Sequence, residues 1–343
     1  MENNTPSSLG YSMPAEWHAH EGTWLSWPKN ELTFPKSMLP QVEETFCQMI
    51  EAIARGEKAK ILVDDEAMQE RVGKKLEKAG INLSSVVFHK LKSADVWIRD
   101  YSPIFAINKK SGKKAAIKFI YNAYGSKYDD LLYDNKTGEE IARASGFPTF
   151  HPNFVMEGGS LDANGAGFLL TTKQCLLNKN RNPSLTQNEI EKYLADYLDA
   201  KNIIWLESGI EGDDTDGHVD DFARFVSAKA AVCSSEESQN DKNHKPLSDA
   251  KKALQNDFEV ISLPMPPPLV DKEENRRLPA SHANFYISNK AVLMPAFGGK
   301  SDKEAKEILE SCFAGREVVL INSKELVFGY GGIHCATQQE PKG

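Results

Sequence analysis

Segments in which apolar residues recur at helical spacing alternate with short apolar runs along most of this chain. The stretch PQVEETFCQMIEAIARGEK has helical spacing and is followed by the strand-like AKILVDD, and KSDKEAKEILESCFAGR precedes EVVLIN in the same way. Such alternation is typical of an α/β fold in which helices cover a mostly parallel sheet. The pattern therefore predicts the α/β class.

One segment does not fit a purely parallel sheet. GGSLDANGAGFLLTTKQCLLN contains two strand-like runs joined through Asn164 and Gly165, a pair that favours the tight turn of a β-hairpin. We therefore expect mixed sheets, and a simple doubly wound topology does not follow from the alternation.

The pattern also divides the chain into parts. Residues 1–12 have no periodicity and are predicted to form a flexible leader, and residues 13–343 are predicted to form a single domain. Residues 234–257 are polar, with one helical stretch, and predict an exposed connection. The segment 264–282 is punctuated by prolines between two predicted strands, and we expect it to be a long ordered loop that closes over a functional site.

Charge and cysteine content narrow the class of protein. The formal net charge of -8 and the absence of a basic stripe argue against nucleic acid as a partner and favour a small cationic ligand. Because neither a secretory signal nor an apolar run of membrane-spanning length is recognisable, we expect a cytoplasmic protein that does not enter a membrane. The five cysteines are scattered without a C-x-x-C pair, which indicates reduced thiols and leaves one free to act as a nucleophile.

The segment DVWIRDYSP is the first candidate for a functional site. In a regular strand Asp95, Trp97 and Arg99 share one face, and Asp100 falls at the strand end if the following Ser-Pro pair breaks the strand. An Arg-Asp pair on the surface beside a core tryptophan is the competing interpretation.

Two further segments carry acidic and basic side chains. In NFVMEGGSLD, Glu157 precedes two glycines that permit a sharp turn or the close approach of a ligand, and a hairpin with an exposed carboxylate is the alternative. In EGDDTDGHVDDFARFV a calcium loop is excluded, because Gly212 and Ala223 occupy positions that need oxygen ligands. A strand here would place His218 and Asp220 on one face, as a tunable base beside an acid or as a structural histidine bonded to a carboxylate.

The chain ends with GYGGIHCATQQEPKG, in which Cys335 lies among glycines and amide side chains instead of in an apolar run. A cysteine nucleophile needs access and a lowered pKa, and Gly329, Gly331 and Gly332 permit a tightly turned approach. His334 is a poor base for Cys335, because adjacent side chains of an extended chain point to opposite faces. A structural cysteine is the competing interpretation.

Six segments, in this order, resemble the agmatine deiminase family, which is closely related to the bacterial-type peptidylarginine deiminases: MPAEWHAHEGTWLSWP, DVWIRDYSPIF, MEGGSLDANGAGFLLTT, GHVDDFARF, PASHANFYI and GGIHCATQQEP. They are spread across nearly the whole chain. The resemblance implies a pentein-type α/β propeller in which about five ββαβ units surround a central pocket. It also implies a hydrolase that converts agmatine into N-carbamoylputrescine and ammonia, in putrescine biosynthesis from arginine.

The resemblance also implies the roles of four side chains. Cys335 matches the family's nucleophile, which attacks the central carbon of the guanidinium group. His218 matches the group that protonates the departing ammonia and then deprotonates the water that hydrolyses the amidino-thioether. Asp100 and Asp220 match the two carboxylates that bind the guanidinium nitrogens and orient the carbon for attack.

Less specific roles follow for two more residues, and two positions depart from the family pattern. Trp97 is expected to wall the pocket, and Glu157 to position His218 or the substrate. Gly332 stands where the family pattern has an asparagine, which leaves open a side-chain contact near the nucleophile. His282 stands where we expect a tyrosine, a departure that either alters the pocket edge or has no effect.

No metal or organic cofactor is expected, because side chains supply the nucleophile, the acid, the base and the charge clamp. Three alternatives remain open: a deiminase of arginine or peptidyl-arginine on the same scaffold, a zinc-dependent hydrolase with His218, Asp220 and Cys335 as ligands, and a non-catalytic polyamine-binding protein. Free agmatine is favoured as the substrate, because no extra domain for docking a protein substrate is recognisable. A homodimeric assembly stays open at this point.

Overall fold

The structure is a computed structural model that describes residues 4–343. Residues 1–3, the start of the predicted leader, lie outside the described residues. The strands of the described chain are β1 (Tyr11–Ser12), β2 (His20–Ser26), β3 (Lys58–Val63), β4 (Val86–Lys90), β5 (Ile104–Asn108), β6 (Lys114–Ile117), β7 (Thr149–Phe150), β8 (Asp162–Ala163), β9 (Phe168–Thr172), β10 (Asn202–Leu206), β11 (Ala223–Phe225), β12 (Ala230–Ser235), β13 (Glu259–Pro264), β14 (Val270–Asp271), β15 (Arg276–Arg277), β16 (Tyr286–Ile287), β17 (Ala291–Ala296), β18 (Glu317–Asn322) and β19 (Gln338–Pro341).

Helices connect many of these strands. The α-helices of the described chain are α1 (Leu39–Ala54), α2 (Glu66–Lys78), α3 (Ile98–Tyr101), α4 (Ala123–Ser126), α5 (Asp134–Ser145), α6 (Lys173–Leu176), α7 (Gln187–Leu198), α8 (His244–Leu254) and α9 (Lys300–Cys312). The predicted order of helix and strand is confirmed, since β3 follows α1 and β18 follows α9.

Five sheets share one pattern, in which a strand pairs antiparallel with a second strand, and a connection containing a helix leads to a third strand parallel to the second. The five triplets are β5-β6-β7, β8-β9-β10, β11-β12-β13, β16-β17-β18 and β19-β2-β3. In the last triplet the final strand of the chain completes a unit that begins near the N-terminus. The mixed sheets are confirmed, and the number and type of units agree with the expected propeller of ββαβ units.

Capping groups and apolar faces explain why the helices form where the sequence predicts them. Thr186 and Glu189 form a reciprocal capping box at the start of α7, so two backbone N–H groups of its first turn are satisfied. Ile190, Leu194 and Leu198 recur on one face of this helix and are buried. The helix therefore combines a defined start with an apolar stripe that packs against its sheet.

Neighbouring units share their cores. One cluster of buried side chains joins Val232 and Leu263 of one sheet to Met294 of the next sheet and Leu309 of α9. Each sheet is thus packed both against its own helix and against the adjoining unit. Among residues 4–343, no helix combines the length and the apolar character that crossing a bilayer requires.

The segments predicted as leader and loops contain regular structure. Tyr11 and Ser12 pair with β5, so the folded region begins before residue 13, because this backbone extends the edge of a sheet. The predicted connection 234–257 contains α8, and the predicted loop 264–282 contains a small hairpin of β14 and β15. The hairpin predicted at Asn164 and Gly165 is confirmed, with Gly165 at a φ of +67° that favours glycine.

Replacing Leu309 by alanine tests the core shared by the β11-β12-β13 and β16-β17-β18 sheets. Leu309 is fully buried, so Leu309→Ala is expected to lower the free energy of unfolding by about 2–5 kcal/mol through lost burial and a residual cavity. Urea unfolding followed by circular dichroism gives this difference. Leu320→Ala is the matched control, because Leu320 is 40% exposed on β18 and its truncation should change stability by only about 0.5 kcal/mol. Equal losses in the two variants would contradict this assignment of the core.

Candidate active site

The predicted site residues lie in segments that occupy equivalent places in the five units. Each segment comes directly before the first strand of its unit: α3 before β5, Gly158–Ser160 before β8, Val219–Asp221 before β11, residues 280–285 before β16, and residues 331–337 before β19. Backbone hydrogen bonds join neighbouring segments, since Arg99 N donates to Cys335 O at 3.1 Å and His334 N donates to Asn284 O at 3.2 Å. Repetition of one topology therefore brings together residues that are far apart in the sequence.

Asp100 lies in the short helix α3, and the prediction that it ends a strand is wrong. Its Oδ1 accepts the N–H of Gly159 at 2.8 Å, and its Oδ2 accepts the hydroxyl of Tyr124 at 3.0 Å. Burial raises the pKa of the Asp100 carboxyl to about 6, although the positive charge of His218 opposes the rise. Asp100 is thus a buried carboxylate whose remaining hydrogen-bonding capacity is open to a cation.

The neighbours of Asp100 have separate roles. Arg99 is buried and its guanidinium donates to Glu16 at 3.3 Å and to Gln339 at 2.6 Å, so the alternative of a surface Arg-Asp pair is wrong. Asp95 is also buried, and its carboxylate bonds to Thr33. Helical backbone over 98–101 turns these side chains in different directions, whereas a strand would have placed Asp95 and Arg99 on one face.

His218 and Asp220 come from a 3₁₀ turn over Val219–Asp221, and β11 begins only at Ala223. The prediction that a strand places them on one face is therefore wrong in its geometry. The two side chains nevertheless converge. A Cβ atom added to Gly159 would lie 2.7 Å from His218 Nδ1, 2.9 Å from Asp100 Oδ1 and 3.0 Å from Asp220 Oδ2. Three functional groups thus meet at a point that only a glycine leaves free.

The charges of this cluster favour an imidazolium beside carboxylates. Burial alone would lower the pKa of His218, but the Asp100 carboxylate, the Cys175 thiol and Asp220 raise it. The resulting pKa of His218 is well above its usual value. Burial would likewise raise the pKa of Asp220, but hydrogen bonding and attraction from His334 lower it. Asp220 is therefore held ionised, and His218 is held protonated, as a general acid needs to be.

Cys335 lies beside this cluster, on the segment that leads into β19. Its Sγ is 3.7 Å from Asp220 Oδ2 and accepts a hydrogen bond from Asn284 Nδ2 at 3.2 Å. Burial, followed by the charges of Asp220, Asp221 and Asp100, raises the pKa of the Cys335 thiol well above its usual value. A cation placed among these carboxylates would oppose their effect and favour the thiolate.

Glu157 is fully buried, so the alternative of an exposed hairpin carboxylate is wrong. Its Oε1 accepts Arg181 Nε at 2.9 Å, and its Oε2 has no hydrogen-bond partner. Arg181 also donates to the carbonyl of Thr215 at 2.8 Å, which ties Glu157 to the turn that carries His218. Glu157, Cys175 and His218 each offer an atom within 4.8 Å of the others.

A cavity of about 450 Å³ leads to Asp100 and Cys335, and Trp97 lines it as predicted. Its other polar walls are mainly acidic. The carboxyl residues that line it, besides Asp100, are Asp95, Asp130, Asp214, Asp271, Glu273 and Glu274. Arg276 is the one basic side chain among the described lining residues, and its guanidinium lies over the Tyr330 ring and donates to Gly212 O at 3.2 Å.

Asn284 is a site residue that sequence reasoning missed. Its Nδ2 also donates to Asp221 Oδ1 at 2.9 Å, and its Oδ1 accepts the N–H of His334 at 2.9 Å. A Cβ atom at position 332 would overlap the Asn284 side chain, with Asn284 Cγ only 2.8 Å away. Gly332, the departure from the family pattern, thus makes room for the amide that contacts Cys335. The sequence signals for Asn284 are its place within the segment PASHANFYI and its position just before a strand, equivalent to that of the other site residues.

The second departure lies away from the cavity. His282 is buried, with Nδ1 3.0 Å from Pro295 O and Nε2 3.3 Å from Ser301 Oγ. It packs against the ring of Phe297 and is not among the residues that line the cavity. His282 therefore belongs to the support of the 280–285 segment.

Two groups of buried side chains in the described chain could hold a metal ion: Glu157 with Cys175 and His218, and Asp220 with Asp221 and Cys335. The ligand set expected for a zinc-dependent hydrolase is thus divided between the two groups. Soft thiolate and imidazole ligands would suit zinc in the first group, and the second group offers carboxylates with one thiolate.

The Porphyromonas-type peptidyl-arginine deiminase family model matches residues 12–341. The chain belongs to this family. An agmatine deiminase of Pseudomonas aeruginosa is 33% identical over 98% of this chain and 97% of its own length. The resemblance drawn from the six segments is confirmed.

Solved structures agree over the full length. An agmatine deiminase of Enterococcus faecalis, described as catalysing its reaction, has a TM-score of 0.90 and 29% identity, covering 100% of this chain and 99% of that chain. A cysteine-to-serine variant of C. jejuni agmatine deiminase with substrate bound has a TM-score of 0.88 and 30% identity, covering 97% and 96%. The expected fold class is thereby confirmed.

Gly159→Ala tests the convergence of the three functional groups. The added methyl would displace His218, Asp100 or Asp220, and a misplacement of about 1 Å can lower kcat/KM about a hundredfold. Ammonia release from a guanidinium substrate measures the loss, and thermal unfolding checks that the fold persists.

Gly73→Ala is the matched control for Gly159→Ala. The nearest heavy atom to a Cβ at Gly73, within α2, is 3.9 Å away, so activity should be unchanged and stability slightly increased. Wild-type activity in folded Gly159→Ala would contradict the geometry of the site.

Proposed function

We propose that this protein is an agmatine deiminase, which hydrolyses agmatine to N-carbamoylputrescine and ammonia. The observation that carries the proposal is the meeting of one thiol, two carboxylates and one imidazolium at the end of an acidic cavity. A guanidinium group is planar and cationic, and two carboxylates can bind its nitrogens and fix its plane. Agmatine is the substrate in the names of the relatives, and putrescine biosynthesis is the pathway we assign to it.

The proposed chemistry has two half-reactions. Asp100 and Asp220 hold the guanidinium, and Cys335 as thiolate forms a bond to its central carbon. The carbon–nitrogen bond then breaks, with His218 supplying the proton that lets ammonia leave and an amidino-thioether remaining on Cys335. Water next attacks the same carbon while His218 takes its proton, the carbon–sulfur bond breaks, and N-carbamoylputrescine departs. Agmatine and one water thus give N-carbamoylputrescine and ammonia, with the thiol restored.

The charge of the substrate has a further role in this proposal. Burial and the neighbouring carboxylates disfavour the Cys335 thiolate, because they raise the pKa of this thiol. A bound guanidinium supplies a positive charge at the same place and favours the thiolate. The nucleophile would therefore become reactive mainly when the substrate is present.

The acidic cavity walls support agmatine over free arginine. Agmatine ends in an ammonium group, which Asp214, Glu273 and Glu274 would attract, whereas arginine adds an α-carboxylate that they would repel. Arg276, which could bind such a carboxylate, is already engaged with Gly212 O and the Tyr330 ring. The hairpin of β14 and β15 contributes several of the acidic residues that line the cavity. That this hairpin closes over the bound substrate stays a prediction.

Several assignments complete the proposal. We assign Trp97 to the cavity wall and Glu157 to positioning His218, because Glu157 is buried within 4.8 Å of it. We expect the folded chain from β1 onward to act as one catalytic domain in the cytoplasm, without a cofactor, nucleic acid or membrane partner. A homodimer remains a prediction for which sedimentation velocity is the measurement.

An ammonia-release assay with agmatine, arginine and an arginyl peptide tests the proposed function. We expect release from agmatine, and little or none from the other two, since free arginine adds an α-carboxylate that the acidic walls repel, and a peptide-bonded arginine has neutral amides in place of the ammonium group of agmatine. Cys335→Ser should abolish release, because the serine hydroxyl is a much weaker nucleophile. Release from arginine or the peptide alone would favour the related deiminases, and stoichiometric zinc required for activity would favour the metal hydrolase. Binding of agmatine without any turnover would favour a polyamine-binding protein.

The pKa of Asp100 predicts the acidic limb of the pH profile. Because this pKa is raised to about 6, Asp100 is ionised above that pH and loses its charge as the pH falls through it. We expect kcat/KM for agmatine to drop on acidification with a midpoint near 6, while circular dichroism shows an intact fold. A profile that stays flat down to about pH 5 would contradict the assignment of Asp100 to the guanidinium clamp.

A further inference from the structure

His334 has a side chain that the proposed reaction leaves unused, although it adjoins the nucleophile in the sequence. It is buried, with 2% of its surface exposed. Its Nδ1 is 2.6 Å from Asp220 Oδ2, and its Nε2 is 2.7 Å from Glu16 Oε2. The imidazole therefore lies between two carboxylates, and one of them is a member of the guanidinium clamp.

The protonation of this ring follows from its two partners. A neutral imidazole carries one N–H group, so it can donate to only one of two carboxylates, whereas an imidazolium donates to both. In a neutral ring, one nitrogen lone pair would face a carboxylate oxygen at less than 3 Å, which is repulsive. When both nitrogens carry a proton, both contacts become hydrogen bonds. The geometry favours the charged form.

We propose that His334 is a positioning residue: as an imidazolium held between Glu16 and Asp220, it keeps the Asp220 carboxylate ionised and oriented toward the guanidinium. This inference rests on the proposed function, because it assigns Asp220 to the clamp. His334 acts on the clamp and has no direct contact with Cys335 Sγ among the hydrogen bonds of the described chain. The backbone N–H of His334 meanwhile donates to Asn284 Oδ1, and Asn284 Nδ2 donates to Cys335 Sγ. His334 therefore contacts both the clamp and the amide that binds the proposed nucleophile.

Other charged groups around Asp220 limit the effect. His218 and Arg224 also attract its negative charge, whereas Asp100, Asp221 and the Cys335 thiolate repel it. The hydrogen bond from His334 nevertheless lowers the pKa of Asp220 more than the charge of His218 does. Asp220 Oδ1 has no hydrogen-bond partner in the described chain, which leaves it available to a bound guanidinium nitrogen. His334 thus holds one carboxylate oxygen and leaves the other for the substrate.

Glu16 fixes the far side of the ring. Its carboxylate also accepts Arg224 at 2.9 Å, Arg99 at 3.3 Å and the N–H of Ile287 at 2.8 Å. Burial would raise the pKa of Glu16, but the charges of Arg224 and His334 outweigh it and hold this pKa well below its usual value. Glu16 therefore remains ionised. The ring is therefore held by an anion that does not itself contact the cavity.

Binding of agmatine to Cys335→Ser protein, measured by calorimetry as a function of pH, tests this role without requiring turnover. In the same background, His334→Gln keeps an amide donor and removes the charge. We expect its affinity at neutral pH to be about tenfold weaker or more, with recovery at higher pH as Asp220 ionises. The pH midpoint of binding should rise, which a merely structural role of His334 would not produce.

His20→Gln is the matched control. His20 is a buried histidine with a carboxylate partner, Glu57, at 3.1 Å, and its Nε2 lies 2.7 Å from the backbone oxygen of Glu16. It therefore supports the segment of Glu16 without contacting Asp100 or Asp220, so it controls for a merely structural effect on that segment. Its affinity for agmatine and its pH midpoint should equal those of the Cys335→Ser parent. The proposal is overturned if His334→Gln behaves like His20→Gln in both respects.

A second measurement keeps the proposal testable if His334→Gln does not fold. In otherwise unaltered Cys335→Ser protein labelled with ¹⁵N-histidine, NMR should find both ring nitrogens of His334 protonated at neutral pH, and a single-N–H tautomer would overturn the proposal. This readout also separates the two proposals. Failure of the parent to bind agmatine would count against the proposed function, while the NMR result would still decide the protonation of His334.

Discussion

The carboxylate of Glu16 is the contact on which the arrangement of the units depends. It accepts hydrogen bonds from Arg99 of α3, Arg224 of β11, His334 before β19 and the backbone of Ile287 in β16. One buried anion therefore joins four of the five units to the N-terminal segment. Removing such a group would take the carboxylate partner from buried Arg99 and leave Arg224 with Asp162 alone, and breaking a buried ion pair typically costs about 3–5 kcal/mol. The benefit of burying these charges is a fixed geometry, since each partner comes from a different unit.

The same network is satisfied on one side and incomplete on the other. Both carboxylate oxygens of Glu16 accept hydrogen bonds, whereas Glu157 Oε2, Asp220 Oδ1 and both ring nitrogens of His218 have no hydrogen-bond partner in the described chain. Unpaired buried polar atoms are costly, and a native fold retains them where a ligand completes them. Because His218 Nδ1 and the carboxylates of Asp100 and Asp220 lie around Gly159, where a side chain would block them, the site is preorganised for a small planar cation.

Local sequence patterns predict the elements of this fold well, and they predict the shape of the site poorly. The spacing of Ile190, Leu194 and Leu198 suffices to define a helix, and Asn164 with Gly165 defines a hairpin, because both signals depend on neighbouring residues alone. The turns that carry Asp100 and Asp220 depend on other units. Arg99 N, for example, is bonded to Cys335 O, and no local pattern could anticipate that α3 replaces a strand there. The motifs therefore indicate the proposed chemistry of the site but not its geometry.

Glu16 and Asn284 could not be found from the sequence for the same reason. Each has an ordinary side chain in a short motif, and its importance arises only from partners that the fold brings to it. A rule of position would have helped in part, because the site residues share the place directly before the first strand of a unit. Asn284 satisfies that rule, whereas Glu16 lies outside the repeated units and has no equivalent in them.

Closure of the chain connects this architecture to the chemistry. Cys335 is carried by the segment before β19, and β19 pairs with β2, so the nucleophile is in place only when the two ends of the chain have met. The entropic cost of closing so long a loop grows only logarithmically with length, and specific contacts offset it. Glu340 of β19 accepts Trp24 Nε1 at 3.0 Å and Lys60 Nζ at 2.6 Å, and Gln339 accepts Arg99. Since Arg99 also binds Glu16, the strand that delivers the thiol and the network that holds the clamp stabilise each other, and the reactive groups assemble only in the completed fold.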